Sequence, residues 1–395
     1  MPAPETQANP RLTELDWLRI LAFGLLMLYH VGMFYVSWDW HVKSPQPVRA
    51  LEEWMLCLSP WRLPLLFVVS GAATGLLLER AGVQGIMRSR SRRLLLPLLF
   101  GVAVIVPPQA YLEVAEKWGY AGSYGEFWSL YFRADQRFCR DGVCLVLPTW
   151  NHLWFVAYLW AYTMLLLAAY RLAWINPNAV RWAGLTRNAR LLWLPWLWFA
   201  LMRQLLWPVF PATHSLIWDW YDHALYGALF VLGLVLFGQR NDRHGAWAAA
   251  VRLRWWALAV ALLAHLAVRG AAAFFDPANP MPEAMQMALR AVSALRQWAP
   301  VVALLGFARL HLRGKDGPAR RMLTEAVFPI YILHQTVIVV AAHHLAGLGW
   351  PQPVEAAAVL LLTLVACITN WLAVRQVAWL RPLWGIDKRQ RGQQA

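Results

Sequence analysis

The chain has no His-Glu-x-x-His spacing and no Gly-x-Ser-x-Gly elbow, so neither a catalytic metal nor a serine nucleophile is expected. Internal repeats and low-complexity linkers are also missing. That argues against a transporter built from two related halves and for one integrated unit. Acidic residues are scarce, 21 against 36 Lys and Arg, which leaves a formal charge of +15. Such an excess could suit nucleic acid. Here the basic residues fall in short loops between apolar runs, the pattern that membrane orientation produces, and nucleic-acid binding is rejected. The start of the chain does not read as a signal peptide either. No basic cluster precedes the first apolar run, the run is too long, and no small-residue cleavage site follows it. The first span should be retained.

Cysteine is rare, with four in 395 residues. Cys57 and Cys367 lie at or within apolar runs and read as packing residues. Cys139 and Cys144 flank Arg-Asp-Gly-Val, and Asp-Gly between short extended runs favours a tight hairpin. A disulfide there is open on spacing alone, and an oxidising compartment would preserve it.

What the chain has in abundance is apolar sequence, 59% of residues at a mean hydropathy of +0.41. Ten apolar runs begin with residues 18–36 and continue at 60–80, 93–112, 150–171, 190–210, 223–239, 252–270, 290–309, 326–346 and 354–374. A bilayer crossing needs about 20 such residues, so the expected fold is an all-α polytopic helical bundle of about ten transmembrane helices. Every second loop is basic, as in Arg80, Arg88, Arg90, Arg92 and Arg93, or Arg309, Arg313, Lys315, Arg320 and Arg321. The positive-inside rule then puts both termini in the cytoplasm. The expected layout is a flexible N-terminal tail (1–15), a transmembrane domain (16–378) and a basic C-terminal tail (379–395). Most of the 26 Trp are expected at the two interfaces as an aromatic belt.

Inside the first run stand Arg19 and His30, eleven positions apart. On a helix this is about three turns, or about 16 Å, so both fall on nearly one face. Arg19 then sits at the entry edge and His30 deep in the membrane, where an ionisable group is a functional hypothesis by default. The competing reading is a neutral imidazole bonded to a polar neighbour. A further observation concerns Arg62, Arg203 and Arg296, in the outward halves of their spans, where positive-inside logic does not explain them. Snorkelling to the surface is one reading. An outward-facing cationic pocket for a carboxylate is the other.

Leu15-Asp16-Trp17-Leu18-Arg19, Tyr29-His30-Val31-Gly32-Met33-Phe34 and Trp38-Asp39-Trp40-His41-Val42-Lys43 resemble the acyltransferase 3 family of integral membrane acyltransferases, in its branch that succinylates periplasmic glucans. Pro64 to Gly71, Phe328-Pro-Ile-Tyr-Ile-Leu-His334-Gln335, Arg90-Ser-Arg-Arg93 and Asn151-His152-Leu-Trp-Phe155 are similar to later motifs of that family, and the likeness runs from about residue 12 to 375. The resemblance implies a short acyl group moving from cytoplasmic acyl-CoA to hydroxyls of a periplasmic glucan, in the bacterial inner membrane. His30 would be the general base or a covalent acyl carrier, and the sequence does not choose between these. Asp16, three residues before Arg19, would pair with it on one helix face. Arg88, Arg90 and Arg93 would hold the donor phosphates, since guanidinium matches phosphate oxygens bidentately; the competing reading is orientation by charge alone. His334 could orient His30, bind substrate or only pack. His41, Trp38 and Asp39 would meet the acceptor just outside the first span, as would Trp218, Trp220 and Asp219 elsewhere. The cationic pocket of Arg62, Arg203 and Arg296 would suit succinyl, which keeps a carboxylate after transfer where acetyl does not. The alternatives are an O-acetyltransferase of another cell-surface carbohydrate, a lipid or sugar exporter, and a sensor or scaffold, which leaves the Arg–His pair without a task.

Overall fold

The computed structural model describes residues 12–140, 143–172, 184, 186–276 and 279–386. Helix α1 runs Thr13–Tyr35, and α2 runs Arg49–Arg90 before continuing through a π turn, the short α3 (Leu96–Phe100) and a second π turn to Ile105. Two shorter helices, α4 (Pro107–Trp118) and α5 (Tyr124–Phe132), lead to a hairpin of β1 (Cys139–Arg140) and β2 (Val143–Cys144). Then come α6 (Trp154–Arg171), α7 (Arg190–Leu205) and a single turn, α8 (Trp220–Asp222), which runs through a π turn into α9 (Ala228–Gly238). Four long helices close the bundle: α10 (Ala246–Phe274), α11 (Glu283–His311), α12 (Pro318–Ala346) and α13 (Gln352–Val374).

Among the described residues, eight helical segments are long and apolar enough to cross a bilayer. The difference from the expected ten has two sources. Residues Arg49–Ile105 form one helical segment of 57 residues. At 1.5 Å per residue this is about 86 Å, far beyond a ~30 Å hydrocarbon core. Gly82 breaks it, with φ +63° where only glycine is at ease. The second and third apolar runs lie on either side of that break. The other source is α7, whose 16 residues are short for a crossing.

Glycine also sets a close helix pair. A Cβ on Gly71 would stand 1.9 Å from the Phe230 carbonyl oxygen, and one on Gly233 would stand 2.0 Å from that of Val68. Helices α2 and α9 therefore touch backbone to backbone, the use of small residues expected where no hydrophobic effect drives helices together in lipid. The approach fixes the half of α2 that carries Arg62 against the element that carries Tyr226.

Both expected tails are shorter than the sequence suggested. Thr13, Glu14 and Leu15 are buried in α1, because Thr13 Oγ1 donates to the Leu312 carbonyl and Glu14 pairs with Arg309. Residues 380–386 are docked as well: a turn at Arg381–Trp384 buries Trp384, and Phe100 packs against its ring. Residues 1–11 and 387–395 lie outside the described residues. Cys139 and Cys144 are bonded and face each other in the hairpin register. The Asp141-Gly142 turn between them lies outside the described residues.

Candidate active site

His30 lies five residues before the end of α1, nearer the end opposite Arg19 than mid-helix. Its Nδ1 stands 2.9 Å from Nε2 of His334, and the two rings are stacked. His334 Nδ1 in turn stands 2.6 Å from the Tyr331 carbonyl oxygen. A carbonyl only accepts, so His334 carries its proton on Nδ1 and, when neutral, offers a lone pair at Nε2. His30 must then donate from Nδ1. Its Nε2 is left with the lone pair. Trp40 lies along the His30 ring with centroids 6.5 Å apart, limiting its tilt.

His30 lines a cavity of about 360 Å³ together with Tyr29, Arg62, Arg203, Tyr221 and Asp222. Arg62 is only 3% exposed and lies over the Tyr29 ring, 3.6 Å from its centroid. Its Nε and Nη1 have no hydrogen-bond partner. Arg203 donates from Nη1 to the Tyr221 hydroxyl at 2.9 Å and also leaves Nε unpartnered. Two of the three expected pocket arginines thus share one space with His30. Arg296 does not. It lines a separate, mostly apolar cavity with Cys57 and His265, and its Nη2 donates to the Leu56 carbonyl. Its neighbour Gln297 does line the His30 cavity, and one step along α11 turns Arg296 by about 100° to a different face.

At the other end of α1, Asp16 accepts from Arg19 at 3.3 Å and from buried Arg320, which also pairs with Asp316 at 2.9 Å. The expected pair forms, but the carboxylate is shared with α12. Arg93 is close enough to repel both Arg19 and Arg90. Arg90 is buried and donates to Thr74 Oγ1 at 2.7 Å. Arg88, expected with them, is exposed to solvent. Arg90 and Arg88 are two positions apart, so a helix turns them to different faces.

The acceptor residues expected beyond the first span do not line the His30 cavity. Trp38 leans toward Tyr29 with centroids 6.5 Å apart. Asp39 is exposed and pairs with Lys117 at 2.7 Å. His41 is tied into a buried polar network: Nδ1 pairs with Glu113, and Nε2 accepts from Gln335, which also donates to Gln109. Burial would raise the Glu113 carboxyl, but His41 and Lys117 outweigh it and hold it down at about 2. Trp218 and Trp220 are exposed, while Asp219 is consumed by its own loop, accepting from Thr213, Ser215 and Tyr158. In the sequence Asp39, His41 and Asp219 look free for sugar because Lys117, Glu113 and Tyr158 are remote along the chain; only Thr213 and Ser215, which also bond Asp219, are local.

Residues 12–372 match the family model described as an acyltransferase domain. The chain belongs to the acyltransferase 3 family. It is similar to the glucans biosynthesis protein C of Salmonella paratyphi B, Salmonella agona and Salmonella enteritidis, 23% identical in each case over 220 residues, 52% of this chain and 52% of the relative. It thus spans about half the length of the curated relatives it matches. No solved structure matches it.

Two groups of this multi-pass membrane acyltransferase escaped the site expected from sequence. His152, 7% exposed, reaches the cavity from the turn before α6, with its ring 5.2 Å from that of His334. Asp222, 2% exposed, reaches it from α8. The Asn-His pair at 151 and 152 was a visible signal. Asp222 had none, since Asp219 beside it looked equivalent.

Proposed function

We propose that this acyltransferase moves succinyl from acyl-CoA to a hydroxyl of a periplasmic glucan, across the bacterial inner membrane. The observation that carries the reading is the joint lining of one cavity by His30, with its Nε2 lone pair, and by Arg62, with buried donors left unpartnered. His30 Nε2 takes the proton of the acceptor hydroxyl as its oxygen attacks the thioester carbonyl. The C–S bond breaks, and the proton passes to the departing CoA thiolate. His334 holds the His30 tautomer throughout, and Arg62 with Arg203 pairs the free succinyl carboxylate. Arg90, Arg93 and Arg19 form the cationic cluster for the donor phosphates, about 16 Å along α1 from His30. The glucan named in the relatives supports the carbohydrate acceptor. Mass spectrometry of periplasmic glucans from cells with and without the gene tests the assignment. Succinyl ester lost with the gene and regained with it is expected; an unchanged ester pattern would reject it.

A further inference from the structure

We infer that His152 Nδ1 and the Asp222 carboxylate form the subsite that binds hydroxyls of the acceptor carbohydrate, an inference that rests on the transfer reading above. The argument begins with the protons. His152 Nε2 lies 3.0 Å from the Ile332 carbonyl oxygen and must donate to it. In the neutral ring Nδ1 then holds a lone pair. That nitrogen is buried and has no partner. Asp222 Oδ2 is likewise buried and unpartnered, with His214 Nε2 at 3.8 Å, beyond hydrogen-bonding distance. A buried polar atom without a partner is costly, and here two residues that line one cavity each hold such an acceptor.

Their chemistry selects the ligand. A lone-pair nitrogen and a carboxylate oxygen repel an acyl carboxylate or a phosphate, but each accepts a hydrogen bond from a hydroxyl. The unpartnered donors of the same cavity, Arg62 Nε and Nη1 and Arg203 Nε, are the groups that would attract the anion. The residues of one cavity thus hold unpartnered donors, suited to the acyl carboxylate, and unpartnered acceptors, suited to a polyol. Trp154, Trp207 and Tyr226 contribute aromatic surface to its walls. The His152 side chain also has a structural task, because its Nε2 donates to the Ile332 carbonyl. The test must therefore read more than activity.

The experiment uses the full chain in detergent with succinyl-CoA, a linear β-gluco-oligosaccharide and its monodeoxy derivatives. His152→Gln and Asp222→Asn are each expected to raise the KM for the oligosaccharide by about ten-fold, as loss of a hydrogen bond to a substrate hydroxyl does. Transfer should lose more than acceptor-free hydrolysis does, and the KM for succinyl-CoA should change less than that for the oligosaccharide, since Arg62 and Arg203 hold the acyl group in the reading above. At least one deoxy acceptor that penalises the wild type should cost the matching variant nothing further. Identical deoxy penalties in wild type and variants, or equal losses in hydrolysis and transfer, would overturn the subsite. A wild type that leaves succinyl-CoA untouched would instead reject the donor reading. Binding of a fluorescent β-gluco-oligosaccharide then decides the subsite alone: weaker binding by both variants upholds it, and equal binding by all three overturns it.

Discussion

His30 and His334 are joined nitrogen to nitrogen at 2.9 Å, and the second ring is tied to the backbone of its own helix at Tyr331. One carbonyl thus sets the protonation of two imidazoles in turn. His30→Ala should abolish transfer, by about 10²–10⁴ or more, while donor binding persists. His334→Ala leaves the His30 nitrogen but removes what orients it, so kcat should fall with little change in the KM for either substrate. Arg90→Ala with Arg93→Ala should act the other way and weaken donor binding. Steady-state kinetics and donor affinity on purified protein separate the three. Normal turnover by folded His30→Ala would remove α1 from the mechanism.

Helix α2 tolerates no side chain at its crossing with α9. Gly71→Ala or Gly233→Ala would drive a methyl group into a carbonyl oxygen at about half the usual separation. Overpacking typically costs about 1–3 kcal/mol, occasionally more. A lower melting temperature in detergent is expected for both variants. Gly24→Ala, with nothing within 4 Å, is the control and should melt as the wild type.

The first span and its His30 were legible because an ionisable residue within an apolar run stands out without any knowledge of its neighbours. The Asp16–Arg19 pair was legible too, being local. Arg62 and Arg203 were singled out by charge on the wrong side of a run, and they do meet at one cavity. Arg296 satisfied the same rule and went elsewhere, because depth along a helix says nothing about the face presented. His41 and Asp219 look open for sugar in the sequence, yet Glu113 and Tyr158, which hold them, lie 72 and 61 residues away. The break at Gly82 falls in the basic stretch expected as a loop between the second and third runs, but the sequence gave no sign that helix would continue on both sides of it. Side-chain partnerships across helices were the part hidden from the sequence.

The His41–Glu113–Lys117 cluster has a pH signature. The folded-state carboxyl of Glu113 sits at about 2, below the ordinary value of about 4.3. A depressed carboxylate contributes stability that is present above the unfolded value and is lost as pH falls through the folded one. Its contribution should therefore be full at pH 6 and gone near pH 2. Glu113→Gln should melt earlier than the wild type at pH 6, with the gap closing between about pH 4 and pH 2. A gap of constant size across that range would show that shape, not charge, holds the cluster.

Arg62 carries the sharpest consequence for the acyl group. Its guanidinium is buried, has two nitrogens without partners and shares the cavity of His30. A succinyl carboxylate entering there must give up water, and the pairing with Arg62 offsets that loss. Removing one partner of such a buried pair typically costs about 3–5 kcal/mol. Arg62→Gln should therefore lower kcat/KM for succinyl-CoA by about 10²–10³-fold. Acetyl-CoA brings no second charge, so its use should fall far less, and the ratio of the two donors is the measurement. Arg203→Gln should move the ratio in the same direction by a smaller factor, since Arg203 already donates to Tyr221. Arg296→Gln supplies the control: its side chain faces a different cavity, so any loss should be equal for both donors. A ratio unchanged by Arg62→Gln would mean that Tyr29 alone holds this arginine, and that the acyl group is not chosen by its charge.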